Sequence, residues 1–324
     1  MKYYRAYRKR SFLYSVGFRF ITHEMDLVSA IITTYKRAPQ IVERAVRSVV
    51  EQTYQNLEII VVDDSPPEYP YRDDIRKITE KYRDKREIRY LRHEQNKGAC
   101  AARNTGIKDA KGLFVCFLDD DDEYAASKVE KQARLLSGSD YAGLIYCNCL
   151  IVDDDTGEQM YQKKKFHRGN VHYQVLIRNF IGTTSFPLIR KECLIDAGGF
   201  DEELPACQDY DMWIRLCERY PVDFIDEPLV IYHNHSGDQI TKNAGKRIIA
   251  LTRIIHKNEA VLEKDKKLWC IFRLKLMDEY LRENDLNMVT QILSECFHKY
   301  PWLLKRYFFA VIQIVKTRMI GVRK

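Results

Sequence analysis

The sequence alternates short apolar runs with stretches of helical periodicity from about Leu27 onward, and this pattern limits the fold more than any other feature. Four of the apolar runs have the length and β-branched content of buried strands. They span residues 28–33, 57–62, 88–91 and 113–118. Helices are predicted between and after them, beginning at Pro39, at residue 99 and at residue 127. The alternation predicts an α/β fold with a mostly parallel sheet covered by helices on both faces.

The two ends of the chain differ from its middle in charge and pattern. Residues 1–20 hold six basic side chains and no acid, and residues 296–324 hold seven and no acid, although the net charge of the chain is only +7. Residues 245–315 have a helical pattern throughout. We therefore expect a basic N-terminal extension, an α/β catalytic domain and a helical C-terminal region with a basic amphipathic end. These parts are residues 1–26, 27–241 and 242–324.

The basic ends favour an anionic membrane surface over nucleic acid as a partner, because the body between them is mildly negative. Residues 301–319 form an amphipathic pattern that suits either an interfacial helix or a helix packed on the domain. Residues 1–24 are either part of this docking surface or an upstream extension before Met25. The chain has no apolar run as long as the roughly 18 residues of a membrane-spanning helix. We expect a cytoplasmic protein, peripheral on the inner membrane face.

The nine cysteines have no spacing typical of a disulfide framework or a zinc site, which predicts reduced, mostly buried thiols.

A run of five acids, from Asp119 to Glu123, directly follows the apolar strand 113–118. Ligands of parallel sheets bind beyond the carboxyl ends of the strands, so this run is expected at the ligand face. Like charges packed this closely are costly unless a cation offsets them. A hard divalent ion that bridges one or two carboxylates to substrate phosphates would do so. The alternative is an ordinary solvated acidic surface.

Three further polar clusters follow predicted strands or precede a helix. Thr33 and Tyr35 end the first strand, where an aromatic ring could stack on a flat base. Asp63 and Asp64 follow the second strand, where a carboxylate could accept the imino proton of a pyrimidine, although taken alone this cluster favours an ordinary turn. Asp209 precedes an amphipathic helix, where it is either a helix cap or a general base.

Six segments, in order and with compatible spacing, resemble the family 2 glycosyltransferases, whose catalytic domain has the Rossmann-like GT-A fold. The resemblance covers about two thirds of the chain, from Val28 to Thr241. The segments are VSAIITTY at 28–35, QTY with LEIIVVDDS at 52–65, NKGACAARNTG at 96–106, DDDD at 119–122, GGFD at 198–201 and QDYD at 208–211.

The resemblance implies roles for individual residues. Thr33, Tyr35, Asp63, Asp64, Arg103 and Asp120 correspond to the nucleotide-binding residues, with Asp64 as the carboxylate that recognises uracil. Asp119 and Asp121 correspond to the D-x-D pair that holds Mn²⁺ or Mg²⁺. His235 resembles a histidine near the metal and diphosphate. Asp209 corresponds to the catalytic base.

The implied activity is inverting transfer of one sugar from a nucleotide-sugar donor to a glycan or lipid-linked acceptor, in cell-surface polysaccharide biosynthesis. The Q-x-x-R-W motif of processive polymerases is absent, which favours a single transfer. Two departures concern the site: Thr33 stands where Pro is common, and Gln208 replaces a usual Glu. The alternatives are a nucleotidyltransferase, which would need a glycine-rich basic loop that this chain lacks, and a non-catalytic sugar-nucleotide-binding subunit.

Overall fold

One nine-stranded sheet organises the computed structural model, which describes residues 25–161, 165–234 and 243–302, together with residue 312. The strands are β1 (Val28–Thr34), β2 (Leu57–Asp63), β3 (Glu87–Arg92), β4 (Phe114–Asp119), β5 (Glu123–Tyr124), β6 (Leu144–Asp153), β7 (Gln159–Tyr161), β8 (Leu188–Arg190) and β9 (Val222–Asn234). Their order is β3-β2-β1-β4-β8-β6-β9-β5, with β7 paired to β6.

The sheet is mostly parallel, as the sequence predicts. Strands β1 to β4, β6 and β9 share one direction, and β5, β7 and β8 run against it. The four predicted strands are confirmed to within one residue at each end. The three short opposing strands do not appear in the sequence-based prediction, because two or three residues carry no measurable periodicity.

Helices cover both faces of the sheet. They are α1 (Pro39–Val50), α2 (Arg72–Lys81), α3 (Ala99–Asp109), α4 (Lys128–Ser137), α5 (His172–Ile177), α6 (Lys191–Asp196), α7 (Gln208–Arg219), α8 (Ala244–Lys257), α9 (Glu259–Lys264), α10 (Lys266–Arg282) and α11 (Leu286–Lys299). Ile32 and Leu118 face a core made with α1, α2 and α4. Ile31 and Phe117, one residue away on the same strands, face the core made with α3 and α7.

The C-terminal helices α8 to α11 confirm the expected helical character of residues 244–299. They have a small core of their own, around Leu274 and Ile292. Ile254 of α8 and Phe272 of α10 also join the core beneath α7. The proposed boundary at residue 241 remains a prediction, and most of the amphipathic segment 301–319 lies outside the described residues. No helix in the described ranges has the length and apolarity to cross a membrane.

All nine cysteines are free thiols, and eight of them are buried. This agrees with the expectation from their spacing.

A buried polar cluster fixes the amino-terminal ends of the parallel strands. The Ser29 hydroxyl donates to Glu58 at 2.5 Å and accepts from the Gly112 amide at 2.8 Å. Arg89 pairs with the same Glu58 carboxylate at 2.8 Å. Gly112 stands where a Cβ would lie 2.7 Å from the Leu27 carbonyl oxygen and the Ser29 nitrogen. Because Gly112 has no side chain, the backbone can pass close to β1 just before β4 begins. This close approach sets the register of β4 against β1, and with it the position of the acidic run.

We predict that Gly112→Ala lowers the free energy of unfolding by about 1–3 kcal/mol, because the clashing atoms are backbone and cannot rotate away. Gly245→Ala is the matched control, since its added Cβ meets nothing closer than 3.6 Å near the start of α8. We expect that change to be neutral or slightly stabilising. Urea denaturation followed by circular dichroism measures both, and equal stability of the two variants would contradict the prediction.

Candidate active site

The polar clusters predicted from the sequence meet at one edge of the sheet. Thr33 of β1 lies opposite Asp119 of β4, and Thr34 lies opposite Asp63 of β2. All three strands are parallel, so their carboxyl ends form a common rim. The acidic run continues from this rim toward β5.

The acids of the run alternate between the cleft and the interior. The Asp119 and Asp121 side chains are 31% and 22% exposed, whereas that of Asp120 is 7% exposed and Asp122 is buried. This alternation brings the first and third acids together on the open side. A metal or ligand in the cleft would therefore contact Asp119 and Asp121, the two aspartates of a D-x-D spacing.

Arginines offset much of the charge of the run. Arg37 donates to Asp120 and to Asp121, both at 2.9 Å. Arg44 of α1 donates to the Asp121 carbonyl oxygen at 2.8 Å. Arg103 of α3 donates to Asp119 at 2.8 Å. The sequence-based argument missed Arg37 and Arg44, although both lie in the turn and helix that follow β1.

The two interior acids have raised pKa values. Burial raises the pKa of Asp120 to about 6; Arg37 opposes this shift, and the neighbouring Asp121 charge adds to it. Burial also raises the pKa of Asp122 well above its usual range, helped by the charges of Asp119 and Asp121. Asp122 accepts a hydrogen bond from the Ser185 hydroxyl at 2.7 Å. It therefore anchors the run to the fold, and Asp119 and Asp121 are the acids left to face a ligand.

The donor set of the cleft fits a hard divalent cation. Two partly exposed carboxylates, Asp119 and Asp121, supply the oxygen ligands that Mg²⁺ or Mn²⁺ takes when substrate phosphates complete its shell. In the described part of the chain, no three His, Cys, Asp or Glu side chains are grouped as a ready-made metal site. His235, the third predicted ligand, lies outside the described residues.

The acids that end β2 are held by β3 and by the loop between β3 and α3. Asp64 accepts from His93 at 2.7 Å and from the amides of Lys97 and Gly98 at 2.8 and 2.7 Å. Asp63 accepts from the Tyr90 hydroxyl at 2.6 Å. Both carboxylates are buried. Asp64 therefore connects β2 to the start of α3, and the roles of both acids as nucleotide contacts stay predictions.

Tyr35 and Thr33 lie on the open side of the same rim. The Tyr35 ring is 45% exposed and Thr33 is partly buried. An exposed ring beside the strand ends is available for stacking on a base.

Asp209 lies in the first turn of α7, and Cys207, which precedes this helix, has a left-handed backbone with φ of 54°. The Asn179 amide donates to the Asp209 carboxylate at 3.0 Å. Burial raises the pKa of Asp209 above its usual value. Nearby Asp211 has a structural role. Its carboxylate is buried and forms ion pairs with Arg215 and Lys257, at 2.7 Å each.

Arg103 joins the two sides of the cleft. One of its guanidinium nitrogens donates to Asp119 at 2.8 Å, and the other donates to Gln208, the neighbour of Asp209, at 2.9 Å. The departure from Glu at position 208 thus supplies a neutral acceptor for this arginine. The structure brings Asp119 and the base candidate into one cleft.

Comparison with known proteins agrees with this geometry. The family model for glycosyl transferase family 2 matches residues 29–198. The chain is 28% identical over 254 residues to an Escherichia coli K12 protein proposed to be the colanic acid biosynthesis glycosyl transferase WcaA, covering 76% of this chain and 87% of that protein. This chain is also 33% identical to an uncharacterized glycosyltransferase of Rickettsia felis. The match covers 67% of this chain but only 36% of the length of that protein.

Two solved structures share the fold at 16% sequence identity. Staphylococcus aureus TarS 1–349, in complex with UDP-GlcNAc, superposes with a TM-score of 0.64 over 90% of this chain and 88% of that one. GalNAc-T7, in a structure with UDP, GalNAc and Mn²⁺, superposes with a TM-score of 0.58 over 72% of this chain and 48% of that one. The fold is therefore of the GT-A type, and the chain belongs to glycosyl transferase family 2.

Proposed function

We propose that this protein transfers a single sugar, with inversion, from a nucleotide-diphosphate sugar to a hydroxyl of a glycan or lipid-linked acceptor in cell-surface polysaccharide synthesis. The observation that carries the proposal is the pair of hydrogen bonds from Arg103, to Asp119 and to Gln208 beside Asp209. Through these bonds Arg103 keeps Asp119, on the side proposed for the donor, close to the helix turn that carries Asp209, the proposed base. The family match favours this activity over the alternative of a nucleotidyltransferase.

A UDP-sugar is the donor we propose. Tyr35 would stack on the base, with Thr33, Asp63, Asp64, Arg103 and Asp120 completing the nucleotide site. The fold neighbour TarS supports the choice of nucleotide, since its structure contains UDP-GlcNAc. A divalent ion held by Asp119 and Asp121, Mn²⁺ or Mg²⁺, would neutralise the diphosphate as it leaves. GalNAc-T7, the other fold neighbour, contains Mn²⁺.

Asp209 would act as the general base. Its carboxylate would accept the proton of the acceptor hydroxyl as that oxygen attacks the anomeric carbon from the face opposite the leaving group. Asn179 holds the carboxylate in place through a hydrogen bond to one of its oxygens. The raised pKa makes Asp209 a stronger base than an exposed aspartate.

The cytoplasmic location and the docking of the basic ends on an anionic membrane remain predictions, because both ends fall largely outside the described residues.

We predict that Asp209→Asn lowers turnover by about 10²–10⁴-fold, the usual contribution of a general base. The change keeps the shape of the side chain and removes its ability to accept a proton. Release of UDP from a sugar nucleotide, with acceptor present, measures the effect. Asp140→Asn is the control, since Asp140 is exposed in the loop before β6. Turnover of Asp209→Asn equal to that of the control would remove Asp209 from the mechanism.

A second prediction concerns the metal. Asp121→Ala should weaken UDP binding in the presence of Mn²⁺ by at least about tenfold, and it should leave the weaker metal-free binding unchanged. Isothermal titration calorimetry with and without Mn²⁺ separates the two effects. Asp140→Ala serves as the matched variant. The metal role would be wrong if Mn²⁺ strengthened UDP binding equally in both variants.

A third prediction concerns pH. Activity should rise with pH as Asp209 loses its proton, and this acid limb should lie at higher pH than for an exposed aspartate because burial raises the pKa of Asp209. Asn179→Asp keeps the side-chain shape, removes a donor and adds a negative charge beside Asp209. Both changes disfavour the ionised form of Asp209, so the limb should move to higher pH by about one unit or more.

The pH profile of kcat/KM measures this shift. Asn287→Asp, an exposed change at the start of α11, is the control and should leave the limb in place. An unmoved acid limb in Asn179→Asp would show that Asp209 does not set the pH dependence.

A further inference from the structure

A cavity of about 560 Å³ opens beside the base candidate. Asn179 and Gly182 line one side of it. Asn179 donates to Asp209, and the Gly182 carbonyl accepts from Trp213 of α7 at 2.8 Å. Tyr232 of β9 lines another part of the wall, and its pKa is raised to about 12 by burial and by the charges of Asp122, Asp121 and Asp119. The cavity therefore lies between Asp209 and the acidic run.

The charges on the wall of this cavity are of one sign. Lys165 and Arg178 line it, and its described lining contains no Asp or Glu. Both side chains are exposed. Among the described residues, no ion pair or side-chain hydrogen bond joins Lys165 or Arg178 to a carboxylate. Arg37, Arg44 and Arg103, in contrast, are all engaged by the acids of the run. Lys165 and Arg178 are therefore available to a ligand in this cavity.

The remaining wall suits a sugar ring. Phe180, Phe186 and Ile177 offer apolar surface to the C–H faces of a ring. Gln174 and Thr183 add neutral hydrogen-bonding groups. His167 packs edge-on against Phe180 at 4.8 Å, and burial lowers its pKa, so the imidazole is neutral near pH 7 and adds no third charge.

We propose that the acceptor binds in this cavity and carries an anionic group, a carboxylate or a phosphate, that Lys165 and Arg178 recognise. This inference rests on the proposed function, because it takes Asp209 as the base that faces the acceptor. An anionic acceptor balances two cations that have no carboxylate partner in the described part of the chain. A neutral acceptor would leave both charges beside an apolar wall.

The test compares three probes on the full chain by saturation-transfer NMR at low salt. Methyl β-D-glucuronide carries a carboxylate, glucose 6-phosphate carries a phosphate, and methyl β-D-glucoside is neutral. We expect at least one anionic probe to bind about 3- to 10-fold more tightly than the neutral one, as two partly exposed charge pairs allow. The difference between the two anionic probes identifies which anion the acceptor carries.

The double variant Lys165→Gln, Arg178→Gln should lose this preference, and Arg83→Gln, an exposed arginine beyond α2, should keep it. Equal binding of charged and neutral probes, failure of both anionic probes to bind, or a preference that persists in the double variant would each overturn the inference. Thermal unfolding checks that the double variant is folded.

Calorimetry with UDP and Mn²⁺ on the same samples separates this inference from the proposed function. Wild-type protein that binds UDP without preferring anionic probes contradicts the anionic acceptor alone. Protein that does not bind UDP contradicts the proposed donor.

Discussion

Compensation of the acidic run by arginines is the interaction on which the rest of the site depends. Four consecutive aspartates follow an apolar strand, and two of them, Asp120 and Asp122, point into the protein. Burying a carboxylate without a partner would cost more than a small domain can tolerate. Arg37 pairs with Asp120, and the raised pKa of Asp122 reduces the charge that must be buried. The fold can then present Asp119 and Asp121 to the cleft.

The same arginines define two regions of different charge balance within one cleft. On the side proposed for the donor, Arg37, Arg44 and Arg103 are each paired with an acid of the run, so their charge is already partly offset. A divalent ion, as proposed there, would add the positive charge that a diphosphate needs. On the side proposed for the acceptor, Lys165 and Arg178 line a cavity whose described lining contains no Asp or Glu. The cleft is therefore organised so that the two substrates would be distinguished by charge as well as by shape.

The sequence predicted the parallel half of the sheet well, because buried strands of six or seven residues and helices that begin at residues such as Pro39 leave strong local signals. It also predicted that Thr33, Asp63 and Asp119 share one rim. The family resemblance named Asp119 and Asp121, but the local pattern of the run could not separate them from Asp120 and Asp122, since this depends on contacts with Arg37 and Ser185, distant in sequence. Asn179 and the cavity were missed for the same reason, as a loop residue has no periodicity that reveals its partners.

The contact between α8 and α7 limits which insertions and truncations the C-terminal helices can accept without moving α7. Lys257 of α8 binds both Asp201 and Asp211, at 2.6 and 2.7 Å, and Asp211 is buried two residues from Asp209. A shortened chain that stopped before α8 would leave Asp211 with Arg215 alone and would uncover apolar surface beneath α7. The C-terminal helices therefore stabilise the position of α7, the helix that carries Asp209. Insertions or truncations after β9 would therefore disturb the position of Asp209 even where they lie far from the cleft.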